Sequence, residues 1–374
     1  MSFWDIFATN YIFRNFLNIN LLIRKKLIKQ KSKKIYPKAE KITKETSLPK
    51  PKVLVTRNFF DQAIDLIKTV AEVEIYPSED DPIPREVFLD KVHDIKGLLP
   101  MLTDRVDKEL LDRGKSLKVV SNYAVGYNNI DVNEATKHKV LVTNTPDVLT
   151  DTTADCAFML LMAISRRLVE VDKYVREGKW VKAWGPKMLL GSDITGKTLG
   201  IVGLGRIGQA MVPRAKGFKM KVLYHNRNPN PELEKELGVE YRSFDDILAE
   251  SDYISLHVPL NDATHHLINE KALKQMKNTA YLINTSRGPV VDEKALAKAL
   301  KEKWIAGAGL DVHDKEPTDQ NSPLLKLDNV IVAPHIGSAT IETRLAMAMK
   351  AATNLTAALK GERPPDLVNP EVLE

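Results

Sequence analysis

The run Gly203-Leu204-Gly205-Arg206-Ile207-Gly208 carries three glycines at the spacing with which a backbone turn cradles a pyrophosphate. Gly203 permits the tight turn, and Gly205 lets backbone amides approach the anion. Gly208 lets the next helix pack closely on the strand, so that the anion sits on the positive end of the helix dipole. Taken alone, this spacing is equally the mark of a flexible loop. Here an apolar strand over Thr198 to Val202 precedes it, a helix over Arg206 to Phe218 follows, and a new strand begins at Lys221, which favours nucleotide binding. Three further segments gather polar groups behind apolar strands: Asn284 to Gly288, Gly309 to Pro317, and Pro334 to Thr340. The carboxyl ends of parallel strands are where open α/β sheets bind ligands.

After the strand at Lys221 the chain reads His225-Asn226-Arg227-Asn228, with no acid at the position where NAD enzymes bind the two ribose hydroxyls. A carboxylate there would repel the 2′-phosphate of NADP. Asn226 and Arg227, with Asn228 beside them, offer hydrogen-bond donors and positive charge instead. A solvated surface loop is the plain alternative. The expected cofactor is NADP(H), with NAD(H) as the second choice.

The elements that must hold these segments alternate between strand and helix, which specifies a parallel sheet covered on both faces. A strand over Lys52 to Thr56, a helix over Phe59 to Val70 and strands over Val73 to Tyr76, Gly97 to Leu102 and Leu117 to Asn122 form a first series. One long apolar helix from about Thr152 to Gly178 leads to a second series. Its six strands lie at Thr198 to Val202, Lys221 to Tyr224, Tyr253 to His257, Ala280 to Asn284, Ala306 to Leu310 and Val330 to Ala333. The last helix, Ser338 to Leu359, follows a completed series and is expected to pack back on the first. The fold class is therefore α/β with two doubly wound domains. A Rossmann-type domain over 149–334 is inserted into a discontinuous flavodoxin-like domain made of 51–148 and 335–368.

Composition narrows the remaining classes. The 374 residues are 43% hydrophobic and 28% charged, as in ordinary globular proteins. Residues 1–50 hold twelve Lys/Arg against three Asp/Glu, which is +9 of a chain total of +6, so the rest is −3 and offers no basic surface for nucleic acid. That first segment is an apolar stretch broken by Asp5 and Arg14 and followed by lysines, too interrupted for a membrane span. A peripheral membrane segment and an acid-poor targeting peptide are its functional readings. Its Asn-, Ile-, Lys- and Phe-rich composition favours a dispensable, disordered extension. The single cysteine, Cys156, lies in an apolar run and is expected to be a buried, inert thiol, which suits a reducing, cytoplasmic setting. Seven histidines, His93, His138, His225, His257, His265, His266 and His313, show no ligand spacing, so no metal site is expected.

The glycine turn, Ser121 to Asn129, Asp147 to Asp155 and the three polar segments occur in the order in which the D-2-hydroxyacid dehydrogenase family carries them. Residues 52–369 resemble that family, and Thr150 to Ala154 with Pro334 to Thr340 are most similar to its glyoxylate/hydroxypyruvate reductases. The resemblance implies a catalytic trio of Arg287, Glu316 and His335. His335 would protonate the alkoxide that forms as hydride reaches a 2-keto acid. Glu316 would orient the imidazole and favour its charged form, and Arg287 would pair with the substrate carboxylate and keto oxygen. Singly, each has a bland reading as a surface charge, a solvated carboxylate or a loop histidine; the three in matching motifs do not.

The resemblance further implies that amides of Val125 and Gly126 hold the substrate carboxylate, with Met101 and Leu102 lining the pocket opposite. Thr285 and Asp311 would stand at the nicotinamide end and Pro259 at the adenosine side, and Gly337 is also expected to bind the cofactor. A homodimer is expected, in which Trp184, or Trp180 beside it, either reaches the neighbouring subunit's pocket or simply packs. The expected activity is NADPH-preferring reduction of glyoxylate to glycolate and of hydroxypyruvate to D-glycerate. A phosphoglycerate or D-lactate type dehydrogenase is the enzymatic alternative, and a nucleotide-sensing corepressor or scaffold of the same fold is the non-enzymatic one.

Overall fold

The computed structural model describes residues 49–374, so the readings offered for the basic N-terminal extension lie outside the described residues. Two all-parallel sheets organise the chain. The first comprises β1 (Lys52–Val55), β2 (Glu72–Ile75), β3 (Gly97–Leu99), β4 (Val119–Ser121) and β5 (Leu141–Thr143) in the order β2-β1-β3-β4-β5. The second comprises β6 (Thr198–Val202), β7 (Lys221–His225), β8 (Glu240–Tyr241), β9 (Tyr253–Leu256), β10 (Tyr281–Asn284), β11 (Gly307–Leu310) and β12 (Val330–Val332). Its order is β12-β11-β10-β9-β6-β7-β8, so the direction of winding reverses between β6 and β9. That reversal opens a crevice at the carboxyl ends of the two strands.

β1, β3, β4, β9, β10 and β11 are buried almost throughout, as strands covered on both faces must be. Helix Ile341–Leu359 returns to the first sheet. Its Met347, Ala348, Ala351, Ala352 and Leu355 share one core cluster with Val53, Val55 and Ile64. The small alanines permit close approach, and the Ser121 hydroxyl donates to the Ala351 carbonyl at 2.8 Å.

Three local expectations need correction. The long helix after Thr152 is two, Thr150–Ser165 and Leu168–Arg176, separated by Arg167 in the left-handed region at φ 55°. The chain at Gly191–Ser192 comes back against the end of the first helix, where the Ser192 N–H takes the Ser165 carbonyl at 2.8 Å and stops its propagation. The second sheet has a seventh, two-residue strand, and the first has β5; both are too short to show a period. The final helix begins at Ile341, where the Thr340 hydroxyl accepts from the Thr343 N–H.

Candidate active site

The glycine turn occupies the reversal between β6 and β9. Gly203 has φ 99°, a conformation that side chains resist, and a Cβ there would also lie 2.6 Å from the His257 carbonyl. A Cβ on Gly208 would meet the Gly203 carbonyl at 2.2 Å, whereas one on Gly205 would stand in open space. Gly205 precedes helix Arg206–Gly217, whose first turn borders a cavity of about 770 Å³ between the two sheets. Gly205, Arg206 and Ile207 line this cavity. Gly203, Leu204 and Gly208 shape the turn behind it, and the Leu204 N–H is taken by Asn226 Oδ1 at 2.7 Å. Arg227 and Asn228 are exposed at the end of β7, outside the cavity wall, and Asn226 also stands outside it.

Across the cavity, the loop after β10 presents Arg287. Its Nε donates to Asn128 Oδ1 at 2.9 Å and one terminal nitrogen donates to the Ser286 carbonyl at 2.7 Å. The other lies so close to Gly126 that a Cβ there would be 1.7 Å from it. Val125 and Gly126 line the same cavity. Burial pulls the Arg287 pKa down, opposed by the charge of Glu316. A guanidinium stays charged in a protein, so its desolvation is a cost that a bound anion would relieve.

His335 stands on the wall in the left-handed region at φ 57°. Its Nδ1 lies 2.8 Å from Glu316 Oε2, so Nδ1 carries the proton given to the carboxylate, and Nε2 makes no hydrogen bond among the described residues. Glu316 Oε1 accepts the His313 N–H at 3.1 Å. Burial works to raise the Glu316 pKa, but the hydrogen bond and charge of His335, with the His313 N–H, hold it below the usual carboxylate value.

Asp311, expected beside the nicotinamide, borders the cavity, but its carboxylate accepts the N–H groups of Ile336 and Gly337. Its geometry is that of a brace for the His335 turn. Burial raises the Asp311 pKa, against the pull of those amides and of His335. Thr285, Gly337 and Pro259 line the cavity. Leu102 does too, while Met101 faces a second cavity of about 760 Å³, which also contains Glu316. Trp180 and Trp184 are exposed, Trp184 by 80%. The Cys156 thiol is buried and pushed up to about 12, chiefly by that burial.

Two side chains escaped the sequence reading, Asn128 and Arg344, and Arg206 of the glycine turn has a partner that it did not foresee. Asn128 aligns Arg287; the polar run Tyr127-Asn128-Asn129 directly after Gly126 was its only signal. Arg206 Nε pairs with Asp147 Oδ1 at 2.7 Å, joining the glycine turn to the connection between the sheets. Arg344 lines both cavities. The fit to a nicotinamide nucleotide is supported by two buried polar atoms on the cavity wall that lack a partner among the described residues, Thr285 Oγ1 and His257 Nδ1, and by the open face of Gly205. Among the described residues no cluster of metal-ligating side chains occurs, and no helix is long and apolar enough to cross a membrane.

Known proteins resemble this chain in sequence and fold. Residues 158–337 match the model of the D-isomer specific 2-hydroxyacid dehydrogenase NAD binding domain. A glyoxylate reductase of Thermococcus litoralis is 56% identical over 327 residues, covering 87% of this chain and 98% of that protein; one from Korarchaeum cryptofilum is 54% identical with the same coverage. Among solved structures, a glyoxylate reductase from Paecilomyes thermophila superposes with a TM-score of 0.78 at 34% identity, over 87% of this chain and all of that one. An NADPH-dependent glyoxylate/hydroxypyruvate reductase from Sinorhizobium meliloti, in complex with NADP and malonate, gives 0.74 at 32% identity, over 85% and 97%. With more than half of its residues identical over nearly the whole length of such relatives, the chain belongs to the D-isomer specific 2-hydroxyacid dehydrogenase family and is an NAD(P)-dependent enzyme of that kind.

Proposed function

We propose that the enzyme reduces glyoxylate to glycolate and hydroxypyruvate to D-glycerate, with NADPH preferred and His335 as the general acid. The observation that carries this reading is the convergence of Arg287, Gly126 and the Glu316-held His335 on the cavity that the glycine turn also faces. The names of the relatives support glyoxylate, and the Sinorhizobium meliloti complex supports NADP.

The first amides of helix Arg206–Gly217 would hold the pyrophosphate, Asn226 and Arg227 the 2′-phosphate, and Thr285 with Pro259 would border the nucleotide. When bound, a reduced nicotinamide supplies the hydride. Arg287 and the Val125 and Gly126 amides bind the substrate carboxylate, and the free edge of Arg287 stabilises negative charge growing on the keto oxygen. His335 gives that oxygen its Nε2 proton, and Glu316 holds the ring in register through Nδ1. Asp311 positions His335 from behind.

Residues 51–148 with 335–368 serve in this reading as the substrate domain, and 149–334 as the cofactor domain. A cytoplasmic homodimer is proposed as well. Support comes from the apolar side chains of Leu168, Val169, Val175, Trp180, Val181, Trp184 and Leu190, all exposed within one stretch of the chain. Trp184 of that run would complete the neighbouring subunit's pocket. The deciding experiment follows the reduced-nicotinamide absorbance with glyoxylate, hydroxypyruvate, pyruvate and 3-phosphohydroxypyruvate, each with both cofactors. Fastest turnover with the first two and NADPH is expected; activity confined to the phosphorylated acid, or none, contradicts the reading.

A further inference from the structure

Leu102, His335 and Arg344 each line both cavities, so the two chambers meet at the imidazole. Arg344 lies in the first turn of helix Ile341–Leu359, fixed there because the Tyr123 hydroxyl donates to its carbonyl at 2.8 Å. Other arginines on these walls are engaged: Arg287 by Asn128 and Ser286, Arg57 by the Asp80 carbonyl and Thr103 Oγ1, and Arg206 by Asp147. The half-buried Arg344 guanidinium has no carboxylate partner and no hydrogen-bond acceptor among the described residues.

We propose that Arg344 is a specificity-determining residue that reads C3 of the 2-keto acid, favouring a hydroxymethyl group over a methyl group. The inference rests on the placement of substrate by Arg287 and His335 argued above. With the carboxylate at Gly126 and Arg287 and the keto oxygen at His335, C3 is directed to the wall shared by the two cavities. Leu102 supplies apolar contact for the carbon there, and Arg344 supplies the donor for an oxygen on it. A C3 methyl would desolvate the guanidinium and return no acceptor, so pyruvate is rejected as well as hydroxypyruvate selected. A donor that meets its acceptor in a partly dewatered site is worth about tenfold to a hundredfold in discrimination. The second cavity beyond provides room for the C3 group, whereas glyoxylate, which has no C3, does not call on Arg344.

The test compares kcat/KM for hydroxypyruvate, pyruvate and glyoxylate in the full-length enzyme and in Arg344→Met and Arg344→Lys. The native enzyme is expected to favour hydroxypyruvate over pyruvate by at least about tenfold. Arg344→Met should bring that ratio towards one while lowering glyoxylate turnover less than hydroxypyruvate turnover, and Arg344→Lys should recover part of the ratio, which a purely structural role would not produce. A native ratio near one, or an unchanged ratio in Arg344→Met, overturns the proposal while glyoxylate turnover keeps the functional reading intact. Should Arg344→Met not fold, the native ratio and Arg344→Lys decide. Absence of turnover with all three acids overturns the functional reading and this inference with it.

Discussion

Asp311 grips the backbone behind His335: its carboxylate accepts the Ile336 and Gly337 N–H groups at 2.7 and 2.8 Å, and its carbonyl accepts the His335 N–H at 2.9 Å. Three successive amides are thus fixed to one buried residue, and they hold His335 at a left-handed φ that costs about 1–3 kcal/mol for a side chain to occupy. Asp311→Asn keeps the shape but turns an NH2 group towards one of these N–H groups. The imidazole should shift, and kcat should fall about tenfold to a hundredfold while the circular dichroism spectrum remains native. An unchanged kcat would show that the turn holds itself.

Glu316→Gln removes the charge beside His335 but keeps a group able to accept from Nδ1–H. A neutral partner holds the ring less firmly than the carboxylate 2.8 Å from Nδ1, so kcat for keto-acid reduction should fall about tenfold or more. Because Glu316 is held below the usual carboxylate value in the fold, its charge contributes stability above the ordinary carboxylate range, lost as pH falls through the folded value. Equal kcat in the two proteins would remove Glu316 from the account.

His257 separates stability from chemistry. Burial lowers its pKa to about 4 from 6.5, and its Nε2 lies 2.8 Å from the Ser255 hydroxyl. The unfolded chain therefore takes up a proton near pH 6.5 that the folded chain refuses, so stability is lost as pH falls from 6.5 towards 4, by about 3 kcal/mol at most. In urea unfolding at pH 7 and pH 4.5, His257→Asn should show a smaller pH penalty than the native protein. An equal penalty in both would place the acid sensitivity elsewhere.

Asn226 accepts the Leu204 N–H through Oδ1, and an aspartate can do the same. Asn226→Asp should therefore leave the glycine turn intact while repelling a 2′-phosphate. The kcat/KM ratio of NADPH to NADH is expected to drop about tenfold or more. If the ratio does not move, the end of β7 does not discriminate between the cofactors.

What the sequence disclosed follows from range. The glycine turn was legible because its strand, turn and helix are contiguous, and Arg287, Glu316 and His335 because each sits in a short motif at a strand end. The break at Arg167 was not, since the Ser165 carbonyl is taken by Ser192, far along the chain. Asn128 and Arg287 meet across 159 positions, and Arg344 matters only because a helix from the end of the chain packs on the first sheet. Asp311 was singled out through the family resemblance, as a nicotinamide contact, but its grip on Ile336 and Gly337 is a contact between two loops that no spacing announces. β5 and β8 are too short for alternation to distinguish them from loop.

Proton delivery by His335 is put to the test by His335→Ala, with glyoxylate and NADPH as substrates and nucleotide fluorescence to follow binding. If His335 delivers the proton, turnover falls by at least about a hundredfold while NADPH binds as tightly as to the native enzyme. Near-normal turnover in His335→Ala would contradict proton delivery by His335.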